Sequence, residues 1–243
     1  MDTEDVRLAV YDTFAHQGLP PSTAELADRF GVPAGAVDEA LRVLASARHL
    51  VLDDAGAVVM AHPFSAVPLG FSVMGASTLW WGGCAWDSFA MVHLLRWEPE
   101  VLVATRCPGC ARPHAWNVTR DAPPPGDQVA HFLIPSARMW DDVVHTCGHQ
   151  RIFCAEGCVD DWLARTGNTR GYVMDLPTLW RFASDWYTGR ARPRLHPARA
   201  VRRRRLPAQR RAVRSVLGIV VAAEGSQPVG AARTAFTGAR GSG

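Results

Sequence analysis

The segment Trp80-Trp81-Gly82-Gly83-Cys84-Ala85-Trp86-Asp87 leads into a helix that the sequence predicts to end near Leu95. Apolar residues recur along this helix at helical spacing, so one stripe of it is expected to face a core. Cys84 and Asp87 are three residues apart, and positions i and i+3 share a helix face. The helix is therefore expected to hold a thiol and a carboxyl group side by side.

The position of Cys84 suggests chemistry. The sequence assigns it to the first helical turn, where the helix dipole and free N–H groups favour a thiolate. A nucleophilic sulfur and a carboxylic acid would then point into the same space. In the alternative, structural interpretation, Cys84 packs as a small apolar side chain and Asp87 caps the first turn. The helix pattern alone leaves both interpretations open.

Residues 63–189 mix predicted strands and helices. Strand-like runs occupy residues 101–105, 115–119 and 128–134, and further helices are predicted over residues 156–166 and 176–187. No repeating β-α-β pattern links these elements, so the expected fold class is α+β.

Residues 1–62 form a smaller predicted unit. Three helices are expected, the second opening with the capping box Ser22-Thr23-Ala24-Glu25. Two short apolar runs then flank the turn Asp53-Asp54-Ala55-Gly56, which has hairpin chemistry. The order of helix, helix-turn-helix and hairpin predicts a winged-helix-like module.

The charge of this module argues against DNA binding. Residues 1–62 contain four arginines and ten carboxylates, a net charge of −6. Phosphate neutralisation supplies most of the affinity of DNA-binding modules, and an acidic module would repel the duplex. We therefore expect a structural role for residues 1–62 and no nucleic-acid partner.

The charge of the chain changes abruptly at Arg190. Residues 1–189 hold 13 arginines and 22 acidic residues, a net charge of −9, whereas residues 190–243 hold 13 arginines and only Glu224, a net charge of +12. The last segment is otherwise rich in Gly, Ala and Ser, which predicts a disordered basic tail. The expected organisation is a winged-helix-like module (1–62), a catalytic domain (63–189) and this tail (190–243).

The sequence offers no membrane or export signal. No apolar run reaches the ~18 residues that a membrane-spanning helix needs. The N-terminal residues Met1-Asp2-Thr3-Glu4-Asp5 are acidic where a secretory signal would be basic. We therefore expect a cytoplasmic protein whose six cysteines are reduced.

Four of these cysteines form two pairs in sequence. Cys107-Pro108-Gly109-Cys110 has the spacing of a zinc knuckle or a redox pair, and Cys154 with Cys158 could complete a four-sulfur zinc site. The offset of four in the second pair and the two substantial elements between the pairs weaken this organisation. Cys147 lies in the polar segment Val143-Val144-His145-Thr146-Cys147-Gly148-His149, where a turn with an incidental thiol is the structural alternative.

Three segments together resemble the alkylmercury lyase family. Residues 83–87, with the apolar helix that follows, resemble the active-site segment of that family, and residues 106–113 resemble its third cysteine segment. Residues 146–153 resemble the segment that carries its second catalytic cysteine. The family also begins with a winged-helix-like module that does not bind DNA. The resemblance covers roughly residues 22–189.

The resemblance implies protonolysis of a carbon–mercury bond, with a hydrocarbon and Hg(II) as products, as in mercury detoxification. Cys84 and Cys147 match the two catalytic cysteines that bind mercury, and Asp87 matches the acid that delivers the proton. Cys107 matches a cysteine regarded as structural. Three cysteines match nothing in the family pattern and leave room for a bound metal or for further mercury capture: Cys110, Cys154 and Cys158.

This chemistry is coherent for the residues involved. Thiolates are preferred ligands of soft metals, and a second thiolate on mercury pushes electron density onto the carbon, which then accepts a proton. The expected substrate is an organomercurial, no cofactor is required, and cytosolic thiols or a mercuric reductase would collect Hg(II). Two alternatives remain: a mercury- or metal-binding protein of the same fold without turnover, and a zinc-containing regulator associated with nucleic acid.

Overall fold

The computed structural model describes residues 1–135 and 138–189. The helices are α1 (Thr3–Gln17), α2 (Thr23–Phe30), α3 (Ala34–Ser46), α4 (Ala85–Leu94), α5 (Val143–Gly148), α6 (Glu156–Thr166) and α7 (Leu176–Gly189). The strands are β1 (Val51–Leu52), β2 (Val58–Ala61), β3 (Phe64–Ser65), β4 (Phe71–Met74), β5 (Leu79–Gly82), β6 (Glu100–Arg106), β7 (Pro113–Thr119), β8 (Val129–Phe132), β9 (Gln150–Phe153) and β10 (Tyr172–Asp175). The predicted basic tail lies outside the described residues.

The first three helices and the hairpin follow the predicted order. Ser22 and Glu25 form the expected capping box of α2. The apolar stripe of α3 is buried, and β1 pairs with β2 in an antiparallel hairpin. The elements of the N-terminal module are thus confirmed, while its assignment as a winged helix stays a prediction.

The strands form two antiparallel sheets. The large sheet has seven strands in the order β1-β2-β3-β5-β4-β6-β7, and the small sheet has the order β10-β8-β9. Helices and sheets are therefore mixed as the α+β class requires. Because β1 and β2 come from residues 1–62 and the other five strands follow them, the large sheet continues across the predicted boundary at residue 62.

Helix α4 is enclosed by other elements of the described residues. It packs against α7 and against strands of the large sheet, and every residue from Ala85 to Val92 is buried. A helix covered on all sides has no solvent face, so the expectation of a single buried stripe understates its burial. At its C-terminal end, Arg120 Nη1 donates to the carbonyls of Val92 (2.9 Å) and Glu98 (2.8 Å).

Four elements were not predicted: β5, α5, β9 and β10. Each spans only four to six residues, too few for periodicity to distinguish a strand from a helix or a loop. The change matters most for Cys147, which lies in α5 rather than in a turn. None of the described helices is long and apolar enough to cross a membrane.

Candidate active site

Cys84 and Asp87 meet at the N-terminal end of α4. Cys84 is the N-cap residue in extended conformation, with φ −150° and ψ −174°, one position before the predicted first turn. Its Sγ accepts a hydrogen bond from Asp87 N at 3.4 Å and donates to Asp87 Oδ2 at 3.3 Å. The i, i+3 spacing therefore does bring the thiol and the carboxylate together, as predicted.

Cys147 reaches the same carboxylate from α5. Asp142 Oδ1 caps this short helix by accepting from His145 N at 2.9 Å. Cys147 is fully buried, and its Sγ lies 3.8 Å from Asp87 Oδ2. The structure thus gathers all three predicted site residues, although 60 positions separate Cys147 from Asp87. His145 is exposed and stays outside this group.

The Cys84 thiol is protonated in the free protein. Burial of the sulfur, the neighbouring Cys147 and the charge of Asp87 raise the pKa of Cys84 well above its ordinary value. The hydrogen bond from Asp87 N opposes this shift without overcoming it. The expectation that the helix N-terminus makes Cys84 a thiolate is therefore wrong, because the desolvation of the sulfur outweighs the helix end.

His62 is a fourth member of the site that the sequence analysis missed. It lies in the turn between β2 and β3, with Nδ1 3.1 Å from Asp87 Oδ2. Burial lowers the pKa of His62, but the charge of Asp87, their hydrogen bond and Cys147 together outweigh burial and raise the pKa to about 9. At neutral pH the imidazolium therefore faces the carboxylate as an ion pair.

Strand pairing explains the place of His62. Residue 64 pairs with Gly82 across β3 and β5, and Gly83 N donates to Pro63 O at 3.2 Å. This pairing sets the turn at residues 62–63 beside the start of α4. A histidine before a proline carries no periodic signal, so only the contact between two strands could have identified it.

Gly83 permits the close approach of Asp87. A Cβ atom at this position would overlap the Asp87 carboxylate and come within 2.8 Å of Met60 Cε. Any larger residue would therefore displace the carboxylate from the two sulfurs.

The remaining four cysteines lie apart from these residues. The sulfur atoms of Cys107, Cys110, Cys154 and Cys158 all lie within 4.8 Å of one another. Cys107 therefore belongs to a separate cluster, and its structural role stays a prediction.

One carboxylate oxygen links the whole site. Asp87 Oδ2 contacts Cys84 Sγ (3.3 Å), Cys147 Sγ (3.8 Å) and His62 Nδ1 (3.1 Å). The donor atoms of His62, Asp87 and Cys147 lie within 4.8 Å of one another, close enough to surround a single metal atom. Thiols supply ligands for a soft metal, and the shared oxygen can accept a proton that either thiol gives up.

Comparison with known proteins identifies a matching family and similar solved structures. The family model for alkylmercury lyase (MerB) matches residues 64–188, which is just over half of the chain. The solved structure of the mercury-bound form of MerB2 matches with a TM-score of 0.58 and 17% identity, over 77% of this chain and 92% of that one. A search of curated proteins finds no match.

The two matches carry different weight. At 17% identity the structural likeness shows the fold alone, and the bound mercury is a property of MerB2. The family model covers the segment that contains Cys84, Asp87 and Cys147. Because it covers half of the sequence, this chain belongs to the family of alkylmercury lyases, enzymes that cleave carbon–mercury bonds.

Proposed function

We propose that this protein cleaves organomercurials by protonolysis, with Cys84 and Cys147 as the mercury ligands and Asp87 as the group that delivers the proton. The observation that carries the proposal is the shared carboxylate oxygen, since Asp87 Oδ2 is within hydrogen-bond reach of both sulfur atoms. A proton that leaves either thiol needs to move only once to reach the carboxylate. From there it can reach a carbon atom bonded to mercury.

The reaction begins with the Cys84 thiol protonated, because its pKa is raised well above the ordinary value. As the first sulfur binds R–Hg⁺, its proton passes to Asp87 Oδ2. The second sulfur then binds mercury and pushes electron density onto the carbon. The Asp87 proton moves to that carbon, and the electron pair of the C–Hg bond becomes the C–H bond. One thiol proton ends on the hydrocarbon, the other leaves to solvent, and Hg(II) stays between two thiolates.

Burial supports this sequence of steps. Cys84, Asp87 and Cys147 are each at most 4% exposed, so little water competes for the proton held by the carboxylate. The high pKa of Cys84 in the free protein also fits a thiol that keeps its proton until mercury arrives. A metal ion that binds the sulfur favours the thiolate and so releases the proton where Asp87 can take it.

His62 has a supporting role in this proposal. Its imidazolium lies with Nδ1 3.1 Å from Asp87 Oδ2, so it fixes the position of the oxygen that accepts the thiol proton. The same positive charge compensates the two thiolates that form on mercury. For release, we infer that small cytosolic thiols or a mercuric reductase take up Hg(II) by exchange with these thiolates.

The test is turnover of methylmercury by the reduced protein in excess small-molecule thiol, with methane measured in the headspace. The wild-type protein should release methane repeatedly. Asp87→Asn should lower the rate by ~10²–10⁴, the range for loss of a positioned proton donor, and still bind mercury through both sulfurs. Cys84→Ser and Cys147→Ser should abolish turnover because a hydroxyl is a poor ligand for mercury.

Asp54→Asn is the matched control, because it removes an exposed carboxylate in the β1–β2 turn. It should keep the wild-type rate. Methane release that survives Asp87→Asn unchanged would remove Asp87 from the reaction. Stoichiometric mercury binding without methane, in the wild-type protein, would instead identify a mercury-binding protein that uses the same fold.

A further inference from the structure

The four cysteines outside the active site converge from two connections, the β6–β7 turn and the junction between β9 and α6. Cys107 and Cys110 lie in the turn between β6 and β7, Cys154 follows β9, and Cys158 lies in the first turn of α6. All four sulfur atoms are within 4.8 Å of one another. In a tetrahedron with metal–sulfur bonds of ~2.3 Å the sulfur atoms are about 3.8 Å apart, so the cluster has the size of a four-thiolate site.

We propose that Cys107, Cys110, Cys154 and Cys158 bind one structural Zn²⁺ ion, which takes no chemical part in the lyase reaction. Zinc suits four sulfur donors in a closed tetrahedral arrangement and performs no redox chemistry. The site fills all four positions with protein ligands, which is the mark of a structural rather than a catalytic zinc.

The backbone of the first cysteine pair forms a tight turn that can direct both sulfur atoms toward one ion. Ala111 N donates to Cys107 O at 2.8 Å, and Cys107 N donates to Arg112 O at 2.9 Å, which closes the turn. Ala111 has a φ of +61°, a left-handed conformation that costs a non-glycine residue energy. Strain of this kind persists where the surroundings require one backbone shape, as metal ligation by this turn would.

The second pair is docked against this turn at Gly109. A Cβ atom there would lie 2.5 Å from Cys158 O and 2.7 Å from Cys158 Cβ. Arg165 on α6 also donates from Nη2 to Pro108 O at 2.7 Å. The Cys-Pro-Gly-Cys turn therefore needs its glycine so that the two pairs can approach within bonding distance of a single ion.

The surroundings match the charge of the proposed site. Four thiolates and one Zn²⁺ carry a net charge of −2. Three guanidinium groups donate to carbonyls of the turn or of the strand residue before it, namely Arg165 to Pro108, Arg106 to Ala111 and Arg151 to Arg106. His114 Nε2 lies 3.3 Å from Cys154 Sγ. Side chains that contact a metal ligand in this way help to orient it toward the metal. Residues 1–189 carry a net charge of −9, so a cluster of arginines at one turn is opposite in sign to this part of the chain.

The site would tie the two sheets together. The β6–β7 turn belongs to the large sheet, whereas β9 belongs to the small sheet. Cys107 is buried in a small separate cluster with Phe153 and Val159, next to the proposed site. Because Cys147 precedes β9 by three residues, a metal that fixes β9 also supports the active-site helix α5.

The first experiment measures metal in the full-length protein, produced without mercury and dialysed against EDTA under reducing conditions. Elemental analysis should find one zinc ion per chain. Replacement by Co²⁺ should give the thiolate charge-transfer and tetrahedral ligand-field absorption of a four-sulfur site, and added zinc should bleach it. Protein that contains no zinc and gives no such cobalt spectrum would overturn the proposal, as would iron in place of zinc.

Two variants distinguish this site from the active site. Cys110→Ala removes the exposed ligand and should lower zinc content at least tenfold, whereas Cys147→Ala should keep it. The reverse result would move the metal to His62, Asp87 and Cys147 and refute the assignment. If Cys110→Ala does not fold, thiol counting in the wild-type protein decides. Four thiols that zinc protects from alkylation support the site, and alkylation of these thiols that bound zinc leaves unchanged refutes it. Methane release is not part of either readout, so lyase activity and zinc binding can fail separately.

Discussion

At the scale of single residues, the site depends on how four ionisable groups share their protons. His62 and Asp87 form a buried ion pair, while burial keeps Cys84 protonated. Before substrate binds, the site therefore contains a carboxylate that can accept a proton and a thiol that can release one. The same proton distribution affects the stability of the fold.

The His62–Asp87 pair predicts a pH dependence of stability. The pKa of His62 is raised to about 9 in the folded protein, above the ordinary value of ~6.5 expected in the unfolded chain. The folded state therefore binds this proton more tightly. The stabilisation is fully present below about pH 6.5 and is lost as pH rises through about 9.

Urea unfolding of wild-type protein and His62→Gln across this pH range tests the prediction. Gln has no ionisable ring, so the difference in the free energy of unfolding between the two proteins should shrink as pH rises. A difference that stays constant from pH 6 to pH 9.5 would mean that His62 is neutral when folded.

At the scale of elements, the start of α4 determines the geometry of the site. Strand β5 ends in Gly82, Gly83 follows without a side chain, and Cys84 caps the helix. This sequence of strand, glycine and cap lets the Asp87 carboxylate fold back over Gly83 toward Cys84.

Gly83→Ala should therefore damage both stability and turnover. The added methyl group overlaps the Asp87 carboxylate and presses on Met60, which should cost about 1–3 kcal/mol of stability and reduce methane release at least tenfold. Gly35→Ala in α3 is the matched control, since nothing lies within 4 Å of the added Cβ. It should be neutral or more stable by ~0.4–1 kcal/mol. Equal effects of the two substitutions would contradict this account of Gly83.

At the scale of the whole molecule, the N-terminal residues and the catalytic region share one core. Strand β2 pairs with β3 across residue 62, and Phe14 of α1 stacks on Phe64 with ring centroids 5.6 Å apart. Trp80 Nε1 also donates to Phe14 O at 2.9 Å. Residues 1–62 therefore supply strands, core side chains and His62 to the region that carries the site.

Two truncations test this dependence. A chain that starts at Pro63 loses β1, β2 and Phe14, so we expect no cooperative thermal unfolding and no methane release. A chain that ends at Gly189 loses a similar number of residues, 54 rather than 62, but no residue of the proposed site. It should unfold cooperatively and keep the wild-type rate. Independent folding of the chain from Pro63 would show that the predicted boundary separates two autonomous domains.

Much of the fold and part of the site could be predicted from local sequence. The helices at residues 156–166 and 176–187, the capping box at Ser22 and the hairpin near Gly56 rest on periodicity and turn chemistry within a few residues. The pairing of Cys84 with Asp87 is local for the same reason, because one helical turn brings position i next to position i+3.

The sequence also identified Cys147 through its resemblance to a family, but spacing alone could not join residues 84 and 147. Only the tertiary structure decided that His62 faces Asp87, that burial rather than the helix dipole controls the Cys84 proton, and that two distant cysteine pairs meet. These are effects of strand pairing and desolvation between residues 25 or more positions apart. Local chain geometry depends on residues that are neighbours in sequence. Contacts between the sheets and the removal of water from buried side chains exist only after the chain has folded.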